Sequence, residues 1–257
     1  MPESASLIAS HRYKVREVEL DEPLRWLALG WRDFTRAPVP GLVHGLALTL
    51  FGAVLLAVAR EHFWFLAGAF SGFLLMGPLA VTGLYAVSRA LERSEPATLA
   101  TALRSWIPQD HRLVVFGVML SAAGTVWVLT SASLITTLAA GHVKTPLDFI
   151  RMVVISEHSW LFELWLALGG AMAAPVYASS VVSIPLLLDR SIGVWGAVLT
   201  SWRCVLANPA PLALWGAMLM ALAGVGLATG VGLVLVAPWL AHASWHAYRA
   251  LIAPPED

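Results

Sequence analysis

One cysteine, Cys204, among 257 residues excludes an intrachain disulfide and any CxxC-type metal or redox motif. Charge is scarce as well: only 12% of residues are Asp, Glu, Lys or Arg, where a soluble domain carries about a quarter. Sixteen cations balance sixteen acids, and no basic block exists that could hold a phosphate backbone, so nucleic acid is not an expected partner. The sequence has no GxSxG, Walker or HExxH pattern and no paired acids, so nothing in it reads as a catalytic constellation. The first 38 residues lack the apolar run and small-residue cleavage site of a signal peptide, and the N-terminus is expected to be retained.

What fills the space is hydrocarbon. Hydrophobic residues make up 58% of the chain, and its mean hydropathy is +0.74. A bilayer core of about 30 Å takes about 20 helical residues. Uncharged runs of that order occur at Gly41–Ala59, Phe63–Ser88, Leu113–Gly141 and Leu164–Leu188. A fifth run, Val205–Ala241, is too long for one helix, and Gly226-Leu-Ala-Thr-Gly230 is its natural turn because glycine supplies the backbone freedom of a tight reversal. The expectation is all-α: six transmembrane helices, with residues 1–22 a polar tail and 23–253 a single membrane domain.

Orientation follows from lysine and arginine. With six spans, only Arg60, Lys144 and Arg151 fall opposite the termini, which leaves thirteen of the sixteen cations on the terminal side. That bias places both termini in the cytoplasm.

The chain also repeats itself. Trp31-Arg-Asp-Phe-Thr-Arg-Ala-Pro-Val-Pro40 lies over Trp202-Arg-Cys-Val-Leu-Ala-Asn-Pro-Ala-Pro211 without a gap, matching Trp31 with Trp202, Arg32 with Arg203 and Pro40 with Pro211. A small-residue–proline step recurs at Pro78, Pro175 and Pro238. Aligning those steps superposes Ser88-Arg89 on Tyr248-Arg249, and Glu92-Arg93 on Asp189-Arg190. Three hairpin units result, at about 23–93, 94–190 and 191–253. Each opens with a Trp- and Arg-bearing segment too short to span, namely Pro23–Thr35, Glu95–Trp106 and Ile192–Leu206. These read as amphipathic helices in the headgroup layer, with a groove for a soluble partner as the alternative. Ser94 with Pro96 behind it is the start signal for the middle one.

Near the C-terminus, His242 and His246 share one helix face, with Trp245 between them and Arg249 as the interfacial anchor. Their expected role is interfacial or bundle-facing hydrogen bonding, with no metal or cofactor. A metal or haem site would need a further ligand from His44, His111 or Cys204, and no carboxylate cluster accompanies them. Glu163 sits among outer-interface aromatics and is expected to reach water rather than carry protons. Gly68/Gly72, Gly170/Ala174 and Ala217/Ala221 are small pairs at four-residue spacing, which lets helix backbones approach closely.

Four motifs together resemble a known bacterial membrane family: Pro23-Leu-Arg-Trp-Leu-Ala-Leu-Gly-Trp-Arg-Asp33, Gly83-Leu-Tyr85 followed by Arg89, Ser183-Ile-Pro-Leu-Leu-Leu-Asp-Arg190, and His242-Ala-Ser-Trp-His-Ala-Tyr-Arg249. The family is that of domain of unknown function 2189. The resemblance implies a polytopic protein of the bacterial cytoplasmic membrane and implies no reaction. The functional expectation is a non-catalytic accessory, scaffold or assembly component, partnered by lipid and by other membrane subunits or itself. A small-solute transporter or channel is the alternative, and a metal- or haem-binding protein using His242 and His246 a third.

Overall fold

A computed structural model describes residues 13–59, 63–105, 111–139, 141–155 and 160–253. Among them the chain is helical between turns, apart from one antiparallel bridge joining Val15 to Ile252, as the all-α reading expects. Four stretches are long and apolar enough to cross a membrane: Pro38–Val58, His111–Leu138, Trp160–Asp189 and Pro209–Ala228. The helices are α1 (Glu22–Arg36), α2 (Pro38–Ala59), α3 (Phe63–Ala80), α4 (Thr82–Glu92), α5 (Leu99–Arg104), α6 (His111–Leu138), α7 (Pro146–Phe149), α8 (Trp160–Ser180), α9 (Ser183–Asp189), α10 (Val194–Ala207), α11 (Pro209–Ala228) and α12 (Leu233–Leu251).

Two expected spans take a different form. The run Phe63–Ser88 is interrupted at Val81, where Thr82 donates its hydroxyl to the Leu79 carbonyl (2.9 Å) and α4 starts afresh. The final helix, α12, is long enough but carries two histidines, Ser244 and Arg249 among its apolar residues. Between α8 and α9 the helix breaks at residues 181 and 182. Pro185 explains this: it has no N–H to return to residue 181, and it is tolerated only in the first turn of a helix. The reversal in the long fifth run falls at Thr229–Gly232, with Gly230 at a left-handed φ of 68°.

The chain divides into two compact units. The first comprises Met1–Thr49, Pro78–Phe116 and Tyr177–Asp257. Its centre is the packing of α1 on α12. Pro23, Trp26, Gly30, Asp33 and Phe34 recur at helical spacing and form the buried face of α1. At Gly30 the two backbones come so close that a Cβ would lie 2.5 Å from the Ala243 nitrogen, so only glycine fits. Gly45 on α2 meets the Val234 carbonyl in the same way. Trp239 donates its indole N–H to the Leu27 carbonyl (2.7 Å), and Trp26 stands edge-on to Trp215, 5.6 Å between ring centres.

The polar N-terminal segment docks onto this unit from residue 13 onward. Asn208 is buried: it accepts from the Val18 amide (2.8 Å) and donates to the Arg16 carbonyl (3.0 Å). Arg16 reaches the carbonyls of Arg249 and Ile252. The middle interfacial segment starts later than Ser94. Ser94 takes a positive φ of 57° at the end of α4, and α5 is capped instead by Thr98, whose side chain accepts from the Thr101 amide in a capping box.

The second unit comprises Leu50–Gly77 and Gly117–Val176. Its core is apolar: Ile135, Val143, Val153 and Leu161 are buried, with Phe63, Trp64, Phe149 and Trp165 packed around them. A second capping box, Thr145 with Asp148, starts α7, which runs on into a π-helical turn at Ile150–Val154. Asp148 is held below the usual carboxylate range by hydrogen bonds from Thr145 and the Lys144 amide.

Candidate functional site

The polar residues of the first unit gather in two places. The first is buried. Asp33, on the inner face of α1, accepts from Ser88 Oγ of α4 (2.8 Å) and from His246 Nε2 of α12 (2.8 Å) at the same carboxylate oxygen, Oδ2. Ser88 Oγ also lies 2.8 Å from His242 Nδ1. A hydroxyl has one proton to give, and this one goes to the carboxylate. His242 must therefore donate from Nδ1, which makes it the Nδ1–H tautomer with an Nε2 lone pair facing the interior. That Nε2 has no hydrogen-bond partner among the described residues. Burial pushes the Asp33 carboxyl up, but the hydrogen bonds from His246 and Ser88 outweigh it and hold the group below its ordinary value.

His44 lies against the same helix: it donates from Nδ1 to the Pro40 carbonyl (2.8 Å), and its Nε2 would be 2.9 Å from a Cβ added at Gly83 of α4. Cys204 is buried on α10, its thiol pushed up to about 12 by burial with Arg203 opposing. His111 stands exposed at the start of α6. Among the described residues no three His, Cys, Asp or Glu side chains converge in a way that could hold a metal ion.

The second place is a cleft of about 420 Å³ lined by Arg89, Glu92, Arg93, Asp189, Arg190, Trp245 and Arg249. It sits where α4, α9 and α12 end. Asp189, its side chain 4% exposed, is the hub: Oδ2 accepts from Tyr248 (2.7 Å) and pairs with Arg190 (3.1 Å), while Arg89 and Arg93 stand farther off, 3.9 and 3.8 Å from Oδ1. Arg89 donates to the Leu188 carbonyl (3.1 Å). Glu92 pairs with Arg249 (2.7 Å) and accepts the indole N–H of Trp245 (3.3 Å).

Residues 65–189 match the family model described as "Predicted integral membrane protein (DUF2189)". This is the family that the sequence motifs resemble. The matched segment supplies Ser88, Arg89, Glu92, Arg93 and Asp189 to the two clusters; Asp33, the histidines and Arg249 come from the chain on either side of it. No curated protein and no solved structure matches the chain.

The structure thus brings together His242, His246, Arg89, Asp189, Arg190, Trp245 and Arg249 from the sequence reading. Others lie apart. Trp31 is exposed and packs edge-on against Trp239, Arg32 is exposed, Trp202 donates to Ser179 Oγ (2.9 Å), and Arg203 reaches the Tyr13 carbonyl (3.4 Å). Pro175 is exposed within α8, and Pro238 is buried against Gly41. The side chain of Pro78 lies outside the described residues; Glu163 is exposed. Asp33, Ser88, Glu92, Arg93 and Tyr248 are participants that the sequence shows only as members of repeats and motifs, not as site residues. Asp33 carries a usable signal, since it sits one helical repeat after Trp26 on the apolar face of α1, where a carboxylate needs a partner.

Proposed function

We propose that this is a non-catalytic protein of the bacterial cytoplasmic membrane, built as six spans in three repeated hairpins with both termini cytoplasmic. Its role is that of an accessory, scaffold or assembly component of a membrane complex. The observation that carries this reading is how the buried polar groups of the first unit are used. Asp33, Ser88, Asp189, Tyr248 and Asn208 each bond to a side chain or backbone group of another segment, so their polarity joins helices rather than lining a path for a solute. In lipid such bonds fix which helices are neighbours, because apolar surface alone does not.

The outward surfaces support the second half of the reading. Leu50, Val54, Val118, Leu129, Leu166 and Met220 are exposed along the spans, as lipid-facing or subunit-facing residues must be. A Cβ added at Gly52, Gly72, Gly170 or Gly224 would meet nothing within 4 Å among the described residues, leaving flat stretches where a second helix backbone can lie close. Trp31 of α1 and Trp195 of α10 are exposed, and because tryptophan favours the headgroup layer this supports reading the two segments as interfacial.

Two measurements test this. Extraction in a mild detergent followed by native sizing should recover the chain with other subunits or with itself. A monomer that catalyses solute movement in vesicles would overturn the scaffold reading in favour of a transporter. Reporter fusions after His142 and Thr229 should give periplasmic signals, and a cytoplasmic signal at His142 would overturn the topology.

A further inference from the structure

The arginines of the cleft exceed what their neighbours require. Asp189 is neutralised by Arg190 at 3.1 Å, and Glu92 by Arg249 at 2.7 Å. Arg89 spends one donor on the Leu188 carbonyl. The Arg93 guanidinium makes no hydrogen bond among the described residues: it lies 3.8 Å from Asp189 Oδ1, and the side chain is 56% exposed. Four guanidinium groups face two carboxylates, so the cleft carries an excess of two positive charges. Each guanidinium has five N–H donors, far more in total than Asp189, Glu92, Tyr248 and the Leu188 carbonyl can accept.

If the arginines served only to cap α4, α9 and α12 against the negative ends of their dipoles, each would be turned onto a terminal carbonyl. Only Arg89 is. The volume, about 420 Å³, falls in the range of small-ligand clefts, roughly 300–1,000 Å³. Guanidinium forks match the oxygens of phosphate in pairs, and two surplus charges balance a phosphate monoester dianion and exceed the single charge of a phosphate diester.

We propose that the cleft between the ends of α4, α9 and α12 binds a phosphate group, with Arg93 and Arg89 as its principal donors and Arg190 and Arg249 holding the flanking carboxylates away from it. The group is that of an anionic lipid headgroup or of a free phosphate compound. The site does not depend on the scaffold reading, since a transporter or an enzyme could carry it equally.

The test uses the full chain, purified in neutral detergent and stripped of lipid. Phosphatidylglycerol, phosphatidylcholine and inorganic phosphate are titrated separately, with bound lipid counted by native mass spectrometry and phosphate followed by calorimetry. Wild type should bind phosphatidylglycerol or inorganic phosphate, and Arg93→Gln should weaken that binding by about tenfold, the loss of a charge-assisted contact. Arg25→Gln, which removes an equal charge from α1, should leave it unchanged. Phosphatidylglycerol binding that inorganic phosphate does not displace assigns the headgroup source, and binding of inorganic phosphate alone assigns the free source. Arg93 is exposed, so its variant should melt like wild type; Arg93→Lys, which keeps the charge without the fork, should fall between the two. The proposal is overturned if neither anion binds, if phosphatidylcholine binds as well as phosphatidylglycerol, or if Arg25→Gln weakens binding as much as Arg93→Gln.

Discussion

In the first unit the side chains that join helices include Asp33, Asp189 and His242, ionisable groups withdrawn from solvent, whereas the second unit closes on Ile135, Val143, Val153 and Leu161 with aromatic rings around them. Helices in lipid gain little from burying more apolar surface, since the lipid tails are as apolar as leucine. What remains is close backbone approach, ring packing and polar pairing. The first unit uses all three, and the second, among the described residues, relies on ring packing with one tryptophan hydrogen bond between its helices. A polar pair demands one register, because a slipped helix leaves a donor or acceptor stranded in hydrocarbon. The first unit is accordingly the place where geometry is specified tightly enough to build a cleft.

The comparison breaks most sharply at glycine. Gly30 on α1 faces the Ala243 backbone, and a Cβ there would lie 2.5 to 2.8 Å from backbone and Cβ atoms that no rotamer change can move. Gly30→Ala should force α1 from α12 and cost about 3 kcal/mol, the upper end of overpacking costs, despite the gain in helix propensity. Its counterpart in the second unit is Gly72, where an added Cβ meets nothing within 4 Å among the described residues. Gly72→Ala should melt at or slightly above wild type in mild detergent. Equal melting temperatures for the two variants would mean that the α1–α12 contact is not the first unit's organising contact.

How far the sequence announces this difference depends on the length of the signal. The apolar runs from Gly41, Leu113 and Leu164 and the first part of the Val205 run give helices at nearly those positions, because composition over twenty residues decides what a membrane solvates. The breaks at Val81 and after Ser180 are not read from hydropathy, though Pro185 marks the second one for a reader who places it in a first turn. Of the site, the histidine pair and Arg249 stand out by spacing, as does Asp189-Arg190. Their partners do not, since Ser88 lies 154 residues from His242 and Asp33 lies 213 from His246, and one sequence alone does not encode which helix faces carry them together. The tail is the plainest case: residues 13–18 read as polar and unremarkable, yet Asn208 fastens them to the start of α11 and Arg16 to the end of α12.

A smaller effect separates the units by pH. Asp33 holds two donors, so Asp33→Ala leaves the Ser88 hydroxyl proton without its acceptor, although Oγ still accepts from His242, and leaves His246 to find water; the expected cost is about 2 kcal/mol. The sign of its pH dependence follows from the carboxyl's lowered value. A group whose folded pKa lies below its unfolded value contributes fully above the unfolded value, here 3.8, and loses that contribution as pH falls through the folded one. The gap in melting temperature between wild type and Asp33→Ala should therefore be constant from neutral pH down to about 5. It should shrink only in more acidic solution. A gap that closes between pH 8 and 6 would place the dependence on the histidines instead of on Asp33.

The smallest effect tests whether the second unit owes anything to polarity at all. Trp165 lies among its packed rings, 5.3 Å from Phe149 and 5.5 Å from Trp127 between ring centres, and its indole N–H donates to Ser131 Oγ at 2.7 Å. Trp165→Phe keeps a ring in place and deletes the donor. Hydrogen bonds between membrane helices average about 0.6 kcal/mol, because the alternative partners of each group are also within the membrane. Ser131 can moreover turn its own hydroxyl to a carbonyl one turn back, as Thr130 and Thr136 do on the same helix, and so recover much of the loss. Trp165→Phe should thus lower stability by about 0.5 to 1 kcal/mol, a degree or two in melting temperature and well short of Asp33→Ala. A loss as large as that of Asp33→Ala would show that one polar bond pins the apolar unit as firmly as the buried carboxylate pins the other, and the contrast between the two units would fall.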